Sequence, residues 1–73
     1  MIAYKNLNGN SGVAAYKMGP DFIDVKFHNT IKPYQYSYAS AGSLNVEHMK
    51  KLASEGRGLN SFIMKNVCKL YVK

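Results

Sequence analysis

The stretch Phe22-Ile23-Asp24-Val25-Lys26-Phe27 decides how the rest of the chain is read. Ile23, Val25 and Phe27 fall on one side of an extended chain. Asp24, Lys26 and His28 fall on the other, the period-two pattern of a strand with one buried face. Immediately upstream, Gly19-Pro20-Asp21 has turn chemistry: Pro fixes φ and Gly is free to take positive values. Before it, Val13–Met18 reads as a weakly alternating strand. Downstream, His28-Asn29-Thr30 makes the next turn, and residues 31–38 read as a third strand. Tyr34, Tyr36 and Tyr38 share one of its faces; Gln35 and Ser37 share the other. Pro33 has no N–H for a ladder, which puts this strand at an edge or makes it irregular there. Three short strands with tight connections predict an antiparallel meander.

Beyond a small, flexible stretch at 39–43 the apolar period changes to that of a helix. Asn45 stands as an N-cap, with Leu44 and Met49 placed for a hydrophobic staple. Val46, Met49, Leu52 and Ala53 form one stripe, and Gly56 is the natural stop. A second helix is expected from a cap at Asn60, with Leu59, Ile63, Val67 and Leu70 as its buried stripe. Met64, Cys68 and Tyr71 widen that stripe, while Lys65, Lys69 and Lys73 form a ladder on the opposite side. The expected fold is α+β: a three-stranded antiparallel meander followed by two helices packed on one sheet face. Ile23, Val25 and Phe27 are expected to meet Val46, Met49, Leu52, Ile63 and Val67 across the core.

The chain has 73 residues, enough for one small domain. We read residues 1–12, rich in Asn and Gly, as a partly loose leading segment and 13–73 as the domain. Hydrophobic residues make up 47%, too many for a disordered chain. No apolar run approaches a membrane span, and residues 1–10 lack the apolar stretch of a secretory leader. Cys68 is the single cysteine, so no internal disulfide framework exists and a reducing cytoplasm is the expected compartment.

Tyr34-Gln35-Tyr36-Ser37-Tyr38 resembles the central Tyr-x-Tyr motif of the KTSC domain, a small domain found at the C-terminus of some lysyl-tRNA synthetases and as stand-alone proteins. Val13–Met18 and Phe22–Phe27 sit where that family's strands sit. Gly56-Arg57-Gly58-Leu59-Asn60-Ser61-Phe62-Ile63 is similar to its Gly-x-x-x-Asn-x-x-Ile region. The resemblance covers residues 10–71. Three tyrosines leave two registers for the motif, Tyr34/Tyr36 or Tyr36/Tyr38. The family has no established activity; its attachment to a tRNA synthetase implies RNA binding by association only.

The chemistry of the residues separates three classes of function. The net charge is +6, and Lys50, Lys51, Arg57, Lys65, Lys69 and Lys73 all lie in the helical half, a footprint that draws a small domain to phosphate. The bland alternative is a solvated surface that keeps the chain soluble. Tyr34 and Tyr36, with Lys26 and Lys32 nearby, are candidate platforms for unpaired bases. They are equally the large side chains that a core without Trp requires, and the face they occupy decides between the two. A protein partner or a second copy of the chain is the alternative, docking on Met64, Cys68 and Tyr71 if the core leaves them uncovered. Catalysis is not expected. His28 and His48 are the only imidazoles, Asp24 shares a strand face with His28, and no nucleophile or oxyanion site is placed beside them. One Cys and two distant His make no metal site, no cofactor motif is present, and Gly9-Asn10-Ser11-Gly12 lacks the Gly-Lys-Ser/Thr ending of a phosphate loop.

Overall fold

The computed structural model describes residues 1–7 and 12–72. Among them the chain forms strands β1 (Ile2–Ala3), β2 (Val13–Met18), β3 (Phe22–Phe27) and β4 (Tyr34–Ser37). Helices α1 (Tyr38–Ala41), α2 (Ser43–Glu55) and α3 (Leu59–Phe62) follow, and a π-helical turn over Ile63–Val67 continues α3. The fold is α+β. The strands make one antiparallel sheet in the order β1-β2-β3-β4.

The alternation in β3 works as its sequence dictates. Ile23, Val25 and Phe27 are buried, with Tyr36 opposite Ile23 and Tyr34 opposite Val25 on the same face. Val46, Met49 and Ala53 of α2 and Leu59, Ile63 and Val67 beyond it close over them in one cluster; Leu52 packs at its margin. The other sheet face carries Lys17 opposite Asp24 and Asp24 opposite Gln35, and no helix of the described residues covers it. A Cβ at Gly19 would lie 1.9 Å from the Phe22 ring, so any side chain there requires that ring to move.

Several elements differ from the sequence reading, each for a local reason. The sheet has four strands, not three: Ile2 and Ala3 pair with Tyr16 and Ala15. The expected loose segment is anchored over its described part, since Tyr4 is buried, its N–H donates to Ala14 O at 3.0 Å, and Leu7 N–H donates to Gly56 O at 2.7 Å. Residues 8–11 lie outside the described residues. The third strand begins only after Pro33 and ends at Ser37. There the Ser37 side chain accepts from Ser40 N–H while Ser40 Oγ accepts from Ser37 N–H, a reciprocal cap that turns the chain into α1. Asn45 is not a cap. It lies inside α2 and its amide donates to Ala41 O at 2.8 Å. With α2 starting at Ser43, Leu44 points outward at 87% exposure, so the staple with Met49 is absent. Asn60 likewise falls within α3, and Gly58, at φ +80°, occupies the cap position. Gly56 does stop α2, at φ +81°.

Candidate functional site

The segment after Gly58 sets up the site. In a regular helix, residues four apart drift by about 40° per step. The wider π turn at 63–67 offsets that drift and keeps rows of spacing four aligned. Leu59, Ile63 and Val67 therefore all stay fully buried. The next row, Asn60, Met64 and Cys68, lines one side of a cleft of about 600 Å³. A third row, Ser61, Lys65 and Lys69, is exposed, and Lys69 reaches the cleft rim.

The opposite wall comes from the sheet. Phe27, Tyr34 and Tyr36 supply rings, His28, Asn29 and Thr30 of the β3–β4 connection supply polar groups, and Gly12 lies at the base of β2. The connection is bonded to its own ends: Thr30 N–H and Oγ1 both donate to Phe27 O, at 3.3 and 3.2 Å, and the Lys26 ammonium donates to the carbonyls of Phe27 and Thr30. Beyond the π turn the chain crosses the outer edge of β4, where Val72 N–H donates to Gln35 O at 2.6 Å. That bond holds Tyr71 against the sheet. Its ring stacks on Tyr34 at 4.7 Å and 24° and meets Tyr36 edge-on at 6.3 Å. Phe27 lies 5.7 Å from Tyr34.

The cleft is aromatic, and none of its described lining residues is acidic. Among the described residues no carboxylate lines it, and Lys69 is its one formal cation; the His28 imidazole also lines it. Burial pushes the Tyr36 phenol up to about 12, with Cys68, Tyr34 and Tyr71 adding smaller contributions. The Asn60 side-chain amide has no hydrogen-bond partner among the described residues.

The structure sorts the residues nominated from sequence. Tyr36 is 1% exposed, so it cannot act as a stacking platform; opposite Ile23 it faces the helices and fills the core. Tyr34 is half-buried under Tyr71 and forms cleft wall, not an open platform. Lys50 is not a free cation. It pairs with Glu47 at 3.0 Å and donates to Gly19 O at 2.7 Å, tying α2 to the β2–β3 turn. Glu47 also accepts from the Tyr38 hydroxyl at 2.5 Å. Lys51, Arg57, Lys65 and Lys69 are exposed, and Lys50–Glu47 is the one ion pair among the described residues. Met64, Cys68 and Tyr71, nominated for a different partner, line the same cleft as Lys69. Leu70, placed in the buried stripe, is exposed because the π turn ends at Val67. Lys73 and the 9–11 part of the Gly-Asn-Ser-Gly run lie outside the described residues. Asp24 faces Lys17 on the uncovered sheet face, while His28 leaves the strand for the cleft, so the two form no pair. Asn60 belongs to the lining and is not a cap; the recurrence of Asn60, Met64 and Cys68 at every fourth position is the sequence signal of that place.

Among the described residues no group of three His, Cys, Asp or Glu is placed to hold a metal, and no helix is long and apolar enough to cross a membrane. Compared with known proteins, the chain matches no family model, no curated protein and no solved structure.

Proposed function

We propose that this chain is a small, non-catalytic module that binds single-stranded nucleic acid, with RNA favoured. The observation that carries the reading is the exposed Lys65–Lys69 row, which has no carboxylate partner among the described residues, running beside an aromatic cleft with no carboxylate among its described lining. Phosphates seek such cations, and unpaired bases seek aromatic walls that a duplex cannot reach. Lys51 and Arg57 are further exposed cations in the helical layer. The resemblance to the KTSC family, with its link to a tRNA synthetase, belongs to the same proposal.

One observation favours a second reading, a protein or self-association surface: Met64, Leu70 and Val72 are all exposed at the C-terminal end. Charge reversal separates the two. With a fluorescein-labelled ten-nucleotide RNA at ~50 mM salt, Lys65→Glu combined with Lys69→Glu weakens binding at least roughly tenfold if two phosphate contacts are lost. Leu70→Glu leaves that binding intact but disrupts an apolar interface. No anisotropy change at low salt for the wild-type chain sinks the nucleic-acid reading, and sedimentation of wild type against Leu70→Glu then decides whether copies of the chain associate.

A further inference from the structure

We propose that the cleft seats one unstacked nucleotide of the bound strand, with its base between Tyr34 and Tyr71 on one side and Asn60 on the other, and its phosphate at Lys69. This rests on the nucleic-acid reading and specifies what the cleft contributes to it.

Size comes first. A cleft of about 600 Å³ lies within the usual range for a small-molecule site and holds one nucleotide with its sugar and phosphate. Shape follows from the walls: the Tyr34–Tyr71 stack and Phe27 present ring surface, which suits a planar group. The edge of that group meets Asn60. An amide both donates and accepts, as a base edge does, and this one spends neither capacity on a protein group among the described residues. Charge completes the selection. Lys69 attracts an anion, and no carboxylate among the described lining residues repels one. A cationic ligand finds no counter-charge among the described lining residues. An acyl chain leaves the polar side of the cleft unpaired. An added peptide strand is opposed at the β4 edge, where Val72 N–H already occupies Gln35 O. The π turn that aligns Asn60, Met64 and Cys68 is itself a feature that recurs at functional sites.

Gly12 offers a way to close the cleft without altering charge. Its φ is not positive, and a Cβ there makes ordinary contacts, 3.5 Å to Asn60 Oδ1 and 4.0 Å to the Phe27 ring, so Gly12→Leu grows into the cleft.

The test uses the full chain with three probes: a labelled ten-nucleotide RNA, the same backbone carrying abasic sites, and free AMP followed by amide chemical shifts, with phenyl phosphate as the control anion. One lost stack corresponds to a factor of roughly 10 to 100 in affinity, so the abasic strand is expected to bind that much more weakly. AMP should shift the amides around Asn60, Tyr71 and Lys69 more than phenyl phosphate does. Asn60→Ala and Gly12→Leu, each checked for folding by circular dichroism, should shrink the difference between the two strands. Equal binding of both strands overturns the cleft assignment while strand binding stands. AMP shifts without strand binding keep the cleft as a nucleotide site and end the strand reading. Phenyl phosphate matching AMP overturns base recognition, and silence from all probes overturns both proposals.

Discussion

Asp24 sits in the middle of β3 on the uncovered sheet face, opposite Lys17 on β2 and Gln35 on β4. Its Oδ1 is buried without a hydrogen-bond partner, and desolvation raises its pKa despite the attraction of Lys17. A raised folded-state pKa means that the unfolded chain gives up this proton first. The fold therefore loses stability as pH rises from the ordinary carboxylate value through the raised one, and the full cost is carried at neutral pH. Asp24→Asn should raise the melting temperature at pH 7 and change it little near pH 3, where both states hold the proton. An equal shift at both pH values would show that charge is not the cause. Tyr36 obeys the same sign at the alkaline end. Its phenol is pushed from 10 to about 12, so stability falls as pH climbs across that window. Thermal melts at pH 9 and near pH 11.5 should differ less for Tyr36→Phe than for the wild-type chain; an unchanged difference removes Tyr36 as the source. At this scale the sequence told half the story. The inward alternation of Ile23, Val25 and Phe27 was legible, but the tyrosine face was not, because Tyr satisfies a core and a wet surface equally well.

Elements end where a few backbone groups are satisfied. Gly56 stops α2 in the left-handed region at φ +81°, and a Cβ there comes within 2.6 Å of Lys5 Cβ. Gly56→Ala thus meets two penalties, strained backbone and a clash with the leading segment, and should destabilise the fold by about 1–3 kcal/mol in urea unfolding. A cost of about 1 kcal/mol, the backbone strain alone, means that Lys5 does not pack against the α2 terminus, and a cost near zero overturns both penalties. Tyr4 makes the next tie: its buried hydroxyl accepts from Leu59 N–H at 3.3 Å, at the first residue of α3, where no helical carbonyl is available. Tyr4→Phe leaves that N–H unpaired and should cost about 1–3 kcal/mol; a smaller loss would mean that water replaces the phenol. Neither tie is readable from sequence. A two-residue strand has no period, and Tyr4 stands 55 positions from its partner. Ser37, Ser40, Gly42, Ser43 and Asn45 crowd the passage from β4 to α2, and several of them can start a helix; local bonds decide, Ser37 closing a reciprocal cap with Ser40 and Asn45 donating back to Ala41 O from inside α2. The π turn was hidden likewise, since Leu59, Ile63 and Val67 read as an ordinary stripe once Leu70 is added to them.

Across the whole molecule the charge is uneven in what it does. Lys50 is consumed by Glu47 and two carbonyls, and Lys26 by the β3–β4 connection, so both cations serve the fold. Lys51, Arg57, Lys65 and Lys69 remain exposed without carboxylate partners among the described residues. Composition supplies the excess of +6 but not this division, because it takes the folded chain to bring Gly19 O within 2.7 Å of Lys50. The division sets a measurable number. On single strands each neutralised phosphate contributes about 0.7 to the slope of log affinity against log salt. Four contacts give a slope near −3, a loss of roughly 50-fold between ~50 and 200 mM salt, whereas contacts from Lys65 and Lys69 alone give about −1.4, a loss of roughly sevenfold. Lys50→Gln, which removes a cation already committed to the fold, should leave the slope unchanged even if it lowers the melting temperature. Lys69→Gln should lower the slope's magnitude by close to one contact. A slope that drops equally for Lys50→Gln and Lys69→Gln would mean that binding senses net charge alone, with no cation row and no cleft directing it.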